Sequence, residues 1–514
     1  MVRQRLGLAK LLGAAVVPRM TNMQRWCLNK TARNLLHLVL VVLVSAAPIL
    51  FCSKASGAEQ TLLDKGISLF KQGKLNESIA ALKEATKASP KDSNCLSWLG
   101  YVLLEAGKPD EAIQTLKAAS ELDPKNAEIL NNLGNAYLLK NDLKAAESSY
   151  KRALQLQPNL HQARYNLGLV LLKTGRYAQA AAELSRLVSA QPKNPKAHAL
   201  LAQALLSANR KWEAMKALRT AVQLDPANGR YWFELGRAYT QIGLHKDAYS
   251  AFRRADELLK SEPAAAVAAA EAAEKAGDQE SSAQYWQKAV AMRPNDPALR
   301  FRLGLALSVT GNLAGAEREY RQAAEMGASF PELYNNLGWV VLNQGRPSEA
   351  VQWFRKATAR KPHPPEALRN LAAALEASGN IQEAAEIWRQ TVQSQPSDTE
   401  AWCHLAQSLY QLGRYRASEE AWRKALQLNR RSAVAWNGLG LALQKQGNLS
   451  GALAAYQKAL EVNPKLAAAQ NNIGTVYEKQ GKRDKAIAAY QTALRLDPNN
   501  RDAQANLKRL TEKQ

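Results

Sequence analysis

From Glu59 to Asn500 the sequence repeats every 34 residues without an insertion, thirteen times in succession. A chain with such a period builds one supersecondary unit repeatedly, and each unit buries its apolar face only by stacking on the next. With Glu59 as position 1, position 8 is small in every unit: Gly66, Gly100, Gly134, Gly168, Ala202 and onward to Gly474. Position 20 is small as well, from Ser78 to Ala486. Position 24 is large, running through Leu82, Tyr150, Phe252, Trp286, Tyr320, Phe354, Trp388, Trp422 and Tyr456 to Tyr490. One bulky residue facing two small ones predicts a close helix contact that recurs in each unit and joins the units into one core.

Position 15 is Gly in eleven units and Asn in two, Asn141 and Asn209. A helix that ends there needs a residue that accepts positive φ, and Asn is the substitute that does so best. Position 32 is Pro in ten units, among them Pro90, Pro124, Pro464 and Pro498, where it stops a second helix. Each unit therefore reads as helix, left-handed turn, helix and stop, and the chain as all-α. Arg501 to Gln514 keep the helical pattern but are polar, which suits a capping helix over the last core face.

The stretch LNNLGNAYLLKNDLKAAESSYKRALQLQP, Leu130 to Pro158, closely resembles the tetratricopeptide repeat motif, and the resemblance covers residues 59–500. It implies antiparallel helix pairs stacked into a right-handed α-solenoid of more than one superhelical turn, with first helices lining a concave groove. Units 1 to 6 then span 59–262 and units 8 to 13 span 297–500, with the cap at 501–514. Unit 7, residues 263–296, is rich in alanine and matches least, so it is the candidate hinge.

In this family ligands lie along the groove at positions 2, 5, 6, 9, 12 and 13 of the first helices. Position 6 carries Asn132, Asn166, Asn336, Asn370 and Asn472, beside Asn131, Asn335 and Asn471 at position 5. An amide donates and accepts at once, so a row of them suits an extended peptide backbone of any sequence. The row looks like the asparagine ladder of the repeat arm of O-linked N-acetylglucosamine transferase, although the transferase part has no counterpart here. Asn135, Asn166 and Lys196 partly resemble a two-carboxylate clamp, but Asn131 and Leu200 stand where that clamp has basic residues. Units 8 to 11 carry the richest groove: Phe301, Arg302, Asn335, Asn336, Trp339, Arg369, Asn370, His404 and Tyr410.

By register, Trp232, Trp402 and Trp436 at position 4 and the Trp residues of position 24 belong to the core, leaving Trp98 and Trp339 facing the groove. Glu332, Glu366 and Glu400 at position 2 suit the dipole of a first helical turn and are too sparse for a metal cage. Positions 25 and 26 are basic in nearly every unit; Lys117, Lys151, Arg253, Arg355 and Arg423 form either a solvated face or a stripe for anionic lipid or polysaccharide. No HExxH, GxxxxGK[ST] or GxSxG motif occurs, so neither enzyme chemistry nor a metal or other cofactor is expected. Cys27, Cys52, Cys95 and Cys403 are too few and too scattered for a disulfide framework, and the last two read as structural thiols.

The chain carries +24, of which residues 1–58, with eight Lys or Arg and no acid, contribute eight; the rest therefore carries +16 and favours anionic partners. The apolar run Leu35 to Cys52 follows Arg25, Lys30 and Arg33 and reads as an export signal, cleaved after Ser56-Gly57-Ala58 or retained as a membrane anchor. Either outcome puts the repeats outside the cytosol. An acid-free, Arg-rich leader also suits a mitochondrial presequence, the second localisation. Phe51 argues against lipid attachment at Cys52.

The expected function is an extracytoplasmic scaffold that holds extended segments of partner proteins. Its rivals are a basic structural protein for anionic glycan or membrane, and an accessory subunit of an envelope polysaccharide or export system. Export and the lack of a recognition motif argue against nucleic acid.

Overall fold

A computed structural model describes residues 57–260 and 262–512; the expected signal or anchor segment, residues 35–52, lies outside them. Every regular element among the described residues is a helix, twenty-seven in all from α1 (Gly57–Lys71) to α27 (Arg501–Thr511). Unit 3 shows the plan, with first helix α5 (Ala127–Leu139) and second helix α6 (Leu143–Leu156). Among the described residues no helix is long and apolar enough to cross a membrane.

The turn follows the sequence reading at every copy. All eleven glycines of position 15 have positive φ, from 70° at Gly107 to 84° at Gly277, and Asn141 and Asn209 follow at 63° and 60°. Position 34, which the repeat pattern alone left unexplained, is the N-cap of the next first helix. At eight junctions its Asp, Asn or Ser side chain accepts a backbone N–H of the first turn, as Asn126 does from Glu128 and Ile129. At unit 10 that position is Pro364, and the usual four-residue link lengthens: the second helix of unit 9, α18 (Pro347–Thr358), is separated from α19 (Ala367–Ala377) by eight residues. Three prolines, Pro362, Pro364 and Pro365, hold their preceding residues out of helical geometry. Glu366 is consequently the N-cap and not a first-turn residue.

Inside each unit the residue at position 24 fills the space above position 8. All thirteen are at most 3% exposed. A Cβ built on Gly304 would stand 2.5 Å from Cε1 of Tyr320, and one on Gly134 would stand 2.6 Å from the Tyr150 ring. The pairing is graded: Tyr and Phe always face Gly, whereas the three Trp face Ala270, Ala372 and Ala406. Trp422 shows how the larger ring spares its own unit, for it presses on the next one, where a Cβ on Gly438 would lie 2.4 Å from its Cε2.

The described chain falls into two compact units, divided between Met292 and Arg293. In the N-terminal one, first helices of units 1 to 5 touch in succession; in the C-terminal one, so do those of units 8 to 10 and those from unit 11 to α27. Second helices make no comparable approach. Each stack therefore bends with its first helices inside, which makes their outer row the concave face. Unit 7 packs as part of the N-terminal unit. Ala265, Ala266, Ala269, Ala270 and Ala273 of its first helix are fully buried. Short alanines bring the helix near Phe252, which joins Ala248, Ala269 and Ala272 in one apolar cluster.

Gly304→Ala should destabilise unit 8 by about 1–3 kcal/mol through overpacking against Tyr320, read as faster amide exchange across residues 297–325. The same change at Thr310, on the surface beside the turn, should leave that exchange unaltered.

Candidate partner-binding face

The concave face carries a row of asparagines at positions 5 and 6, and their amides bond from repeat to repeat. The Nδ2 group of a position 6 residue donates to Oδ1 of position 5 in the unit before: Asn370 to Asn335, Asn472 to Asn437, and Asn506 of α27 to Asn471, each at 3.0 Å. Units 3 and 4 break this rule. Asn166 donates to Asn135 at 2.8 Å, an oxygen that also accepts the Tyr150 hydroxyl, and Oδ1 of Asn131 is left buried without a donor. Asn131, Asn132, Asn166, Asn335, Asn370 and Asn471 are buried, whereas Asn336 and Asn472 are half-buried. The pairing was visible as Asn at position 5 followed 35 residues later by Asn at position 6, a spacing that a unit-by-unit reading passes over.

Position 12 supplies acceptors for the polar ends of the position 24 rings. Tyr456 donates to Gln444 at 2.7 Å, Tyr490 to Glu478 at 2.9 Å, and Trp388 Nε1 to Glu376 at 2.9 Å. Burial raises the phenols of Tyr150, Tyr320 and Tyr456 above the ordinary tyrosine range, so they remain donors. Where position 24 is Leu, position 12 is apolar too, as in Leu104 with Leu116 and Leu172 with Leu184. Glu376 also accepts from Ser408 at 2.7 Å and lies 3.1 Å from Nδ1 of His404, which stacks on Trp388. Ser408 thus donates to the carboxylate and not to the imidazole, an arrangement that does not activate a nucleophile.

A sequence profile of the tetratricopeptide repeat matches residues 63–120, 99–161, 199–263, 267–328 and 301–365, over half of the chain. The chain belongs to the tetratricopeptide repeat family. Further profiles of the repeat match 137–204, 341–407, 406–447 and 431–499. Among solved structures it is similar to MamA from residue 41 onward of Desulfovibrio magneticus RS-1, at 29% identity over 33% of this chain and 96% of that one, TM-score 0.32. It is also similar to the C-terminal part of a repeat protein from Cytophaga hutchinsonii, at 20% identity over 46% and 98%, TM-score 0.40. A third is the Cut9–Hcn1 hetero-tetramer of APC/C, at 16% identity over 89% and 97%, TM-score 0.34. No curated protein matches the chain. Tetratricopeptide repeats form protein–protein interaction scaffolds, and the binding of other proteins is the general role of this one.

Several expected groove residues are committed to the tetratricopeptide framework. Trp98 is not on the groove surface: it is 7% exposed and packs edge-on against Tyr101. Phe301 meets Phe330 edge-on at 4.9 Å and Tyr320 at 5.8 Å. Arg369 pairs at 3.1 Å with Asp398, the cap of the next unit. Tyr410 rests against Tyr415. Trp339 and Arg302 are half-buried on the concave side, Trp339 packed on the core beneath.

The position 4 tryptophans sit at the edge of the core and pack against it. Trp232, Trp402 and Trp436 are half-buried, and each donates Nε1 to the carbonyl six residues earlier, at 2.9–3.0 Å. Arg300 and Gln504 do the same for the Pro294 and Pro498 carbonyls. A side chain with an N–H at position 4 therefore ties down the turn between units, whatever its type.

The basic stripe is largely paired. Lys151 bonds Glu147 at 2.8 Å, Arg355 bonds Glu383 at 2.7 Å, and Arg423 bonds Glu419 at 2.9 Å; Lys117 lies 5.9 Å from the Tyr137 ring centre, and Arg253 is exposed. Glu147 is held down at about 2, chiefly by the Arg176 guanidinium of the next unit. Cys95 and Cys403 are free thiols, and burial pushes Cys403 up to about 11.

Asn335→Ala should cost about 1–3 kcal/mol because it strands the buried Asn370 amide. Replacing both residues with Ala should cost less than the sum of the single changes, a coupling readable as a double-mutant cycle in urea unfolding.

Proposed function

We propose that the protein is an extracytoplasmic scaffold that holds extended segments of its partners along the concave face of units 8 to 11. The reading rests on the asparagine pairs. The Asn370–Asn335 bond fixes both amides, and Nδ2 of Asn335 also lies 3.5 Å from Oδ1 of Asn336, so the half-buried Asn336 amide is held in orientation at the groove. A peptide in extended form presents N–H and C=O groups in alternation, the complement of such a row. Half-buried Asn336 and Trp339 stand beside the Asn335–Asn370 pair, and a flat aromatic next to fixed polar groups is the usual composition of a protein-binding centre. The export reading is carried by the acid-free leader and the apolar run at residues 35–52. The residues around unit 7 support its reading as the compliant unit: Ser282 Oγ and Asp256 Oδ1 are buried without partners, and its first helix has alanine for its core.

A photo-crosslinking residue placed at Asn336 should capture a partner from the extracytoplasmic fraction, and one placed at exposed Gln390 on a second helix should not. Trp339→Ala should lower capture by the Arg302→p-benzoylphenylalanine protein about tenfold without changing helical circular dichroism. Equal capture from both faces, or capture only from cytosolic extract, would refute the assignment.

A further inference from the structure

The outer surface of units 8 and 9 holds a cation cluster that the repeat does not require. Four residues there neutralise one another: Arg321 and Arg346 each bond both Glu317 and Glu349. Beyond this square the charge is unbalanced. Lys356 Nζ sits 4.2 Å from the centre of the Trp353 ring, the Arg360 guanidinium lies 5.8 Å from that of Tyr334, and the two rings are nearly parallel, 11° apart. Arg360 also donates to the Ser329 carbonyl at 2.6 Å. Lys361 follows it in the lengthened link to α19, where no acid occurs before Glu366. Lys356, Arg360 and Lys361 are exposed and have no ion pair, whereas neighbouring Arg355 is bridged to Glu383.

We propose that this surface, Lys356, Arg360 and Lys361 on the Trp353–Tyr334 shelf, docks an acidic peptide segment of a partner protein. The rings and the carbonyl hold the cations in place without neutralising them, so less side-chain freedom is lost when carboxylates arrive. Charge complementarity alone would also suit an anionic glycan, a nucleic acid or a lipid surface, and the rings discriminate among these. A sugar or base stacks on an open aromatic face, but Trp353 is already attended by Lys356, by Arg321 at 5.7 Å and by Tyr334. A bilayer surface calls for aromatics free to insert, and both rings are half-buried beneath cations. Carboxylates on a flexible peptide need only the cations.

The test uses the full chain and a fluorescent ten-residue peptide of alternating Glu and Ser, followed by anisotropy in low and physiological salt. The peptide should bind, and Lys356→Glu with Arg360→Glu should weaken it about tenfold or more. Lys117→Glu with Arg253→Glu changes net charge equally and should leave affinity within about twofold. The milder Lys356→Gln with Arg360→Gln, checked by circular dichroism, should weaken binding in the same direction. Equal loss from both charge-reversed pairs would reduce the effect to net charge and overturn the proposal. So would tighter binding, at matched charge, of hyaluronan, polyuridylate or phosphatidylserine vesicles than of the peptide.

Discussion

The structure depends on one contact made thirteen times, a large side chain at position 24 seated over a residue of almost no size at position 8. Neither half works alone. Without the small residue the helices of a pair stand apart, and without the large one the space between them is void; either defect is felt because interiors are packed at crystal density. The contact also explains which ring each unit carries. Gly304 leaves no room for a methyl group beneath Tyr320, whereas the Trp422 ring over Ala406 presses on Gly438 of the next unit. Choosing an aromatic with a polar end then imposes a second demand. A buried hydroxyl or indole N–H must find an acceptor, and Gln444, Glu478 and Glu376 at position 12 meet it from within the same unit.

Much of this was legible in the sequence because it is local. Asn141 and Asn209 adopt the left-handed turn that their register assigned them, and the small and large positions meet as their spacing implied. The harder features lie between units. Asn335 with Asn370, or Glu376 with His404, are residues 28 to 35 apart, and no within-unit consensus exposes such partners. Trp98 was misplaced, and the turn bonds of the position 4 tryptophans were missed, for a related reason. A helical register says which way a residue points, but whether it ends up covered depends on what the neighbouring unit supplies, here the apolar cluster that Trp98 shares with Ile129 and Leu133 and a turn carbonyl for Trp402.

Charge follows the same division. A count of lysines and arginines suggests a continuous basic stripe, yet outer-face carboxylates cross the unit boundary to meet them, as Glu111 does for Lys83 and Glu383 for Arg355. Exposed pairs of this kind contribute little to stability, on the order of 0–1 kcal/mol each, but they make the stripe uneven in charge along its length. Unpaired cations remain at regular stripe positions such as Lys117 and Arg253, and others are set by departures from the repeat. The link after α18 is the clearest, because three prolines displace the helix ends and leave no capping side chain at position 34.

The concave face is subject to the same constraint in polar form. Its amides first serve the stack, since a buried donor without an acceptor costs more than a hydrogen bond returns. In the proposed reading a ligand meets only the hydrogen-bonding capacity left after the repeats have bonded to one another, which lies on half-exposed groups such as Asn336 and Trp339. A remainder fixed in orientation by the stack would, on that reading, suit the regular geometry of a peptide backbone more readily than any one side chain. Sequence selectivity must then come from the features that do not repeat.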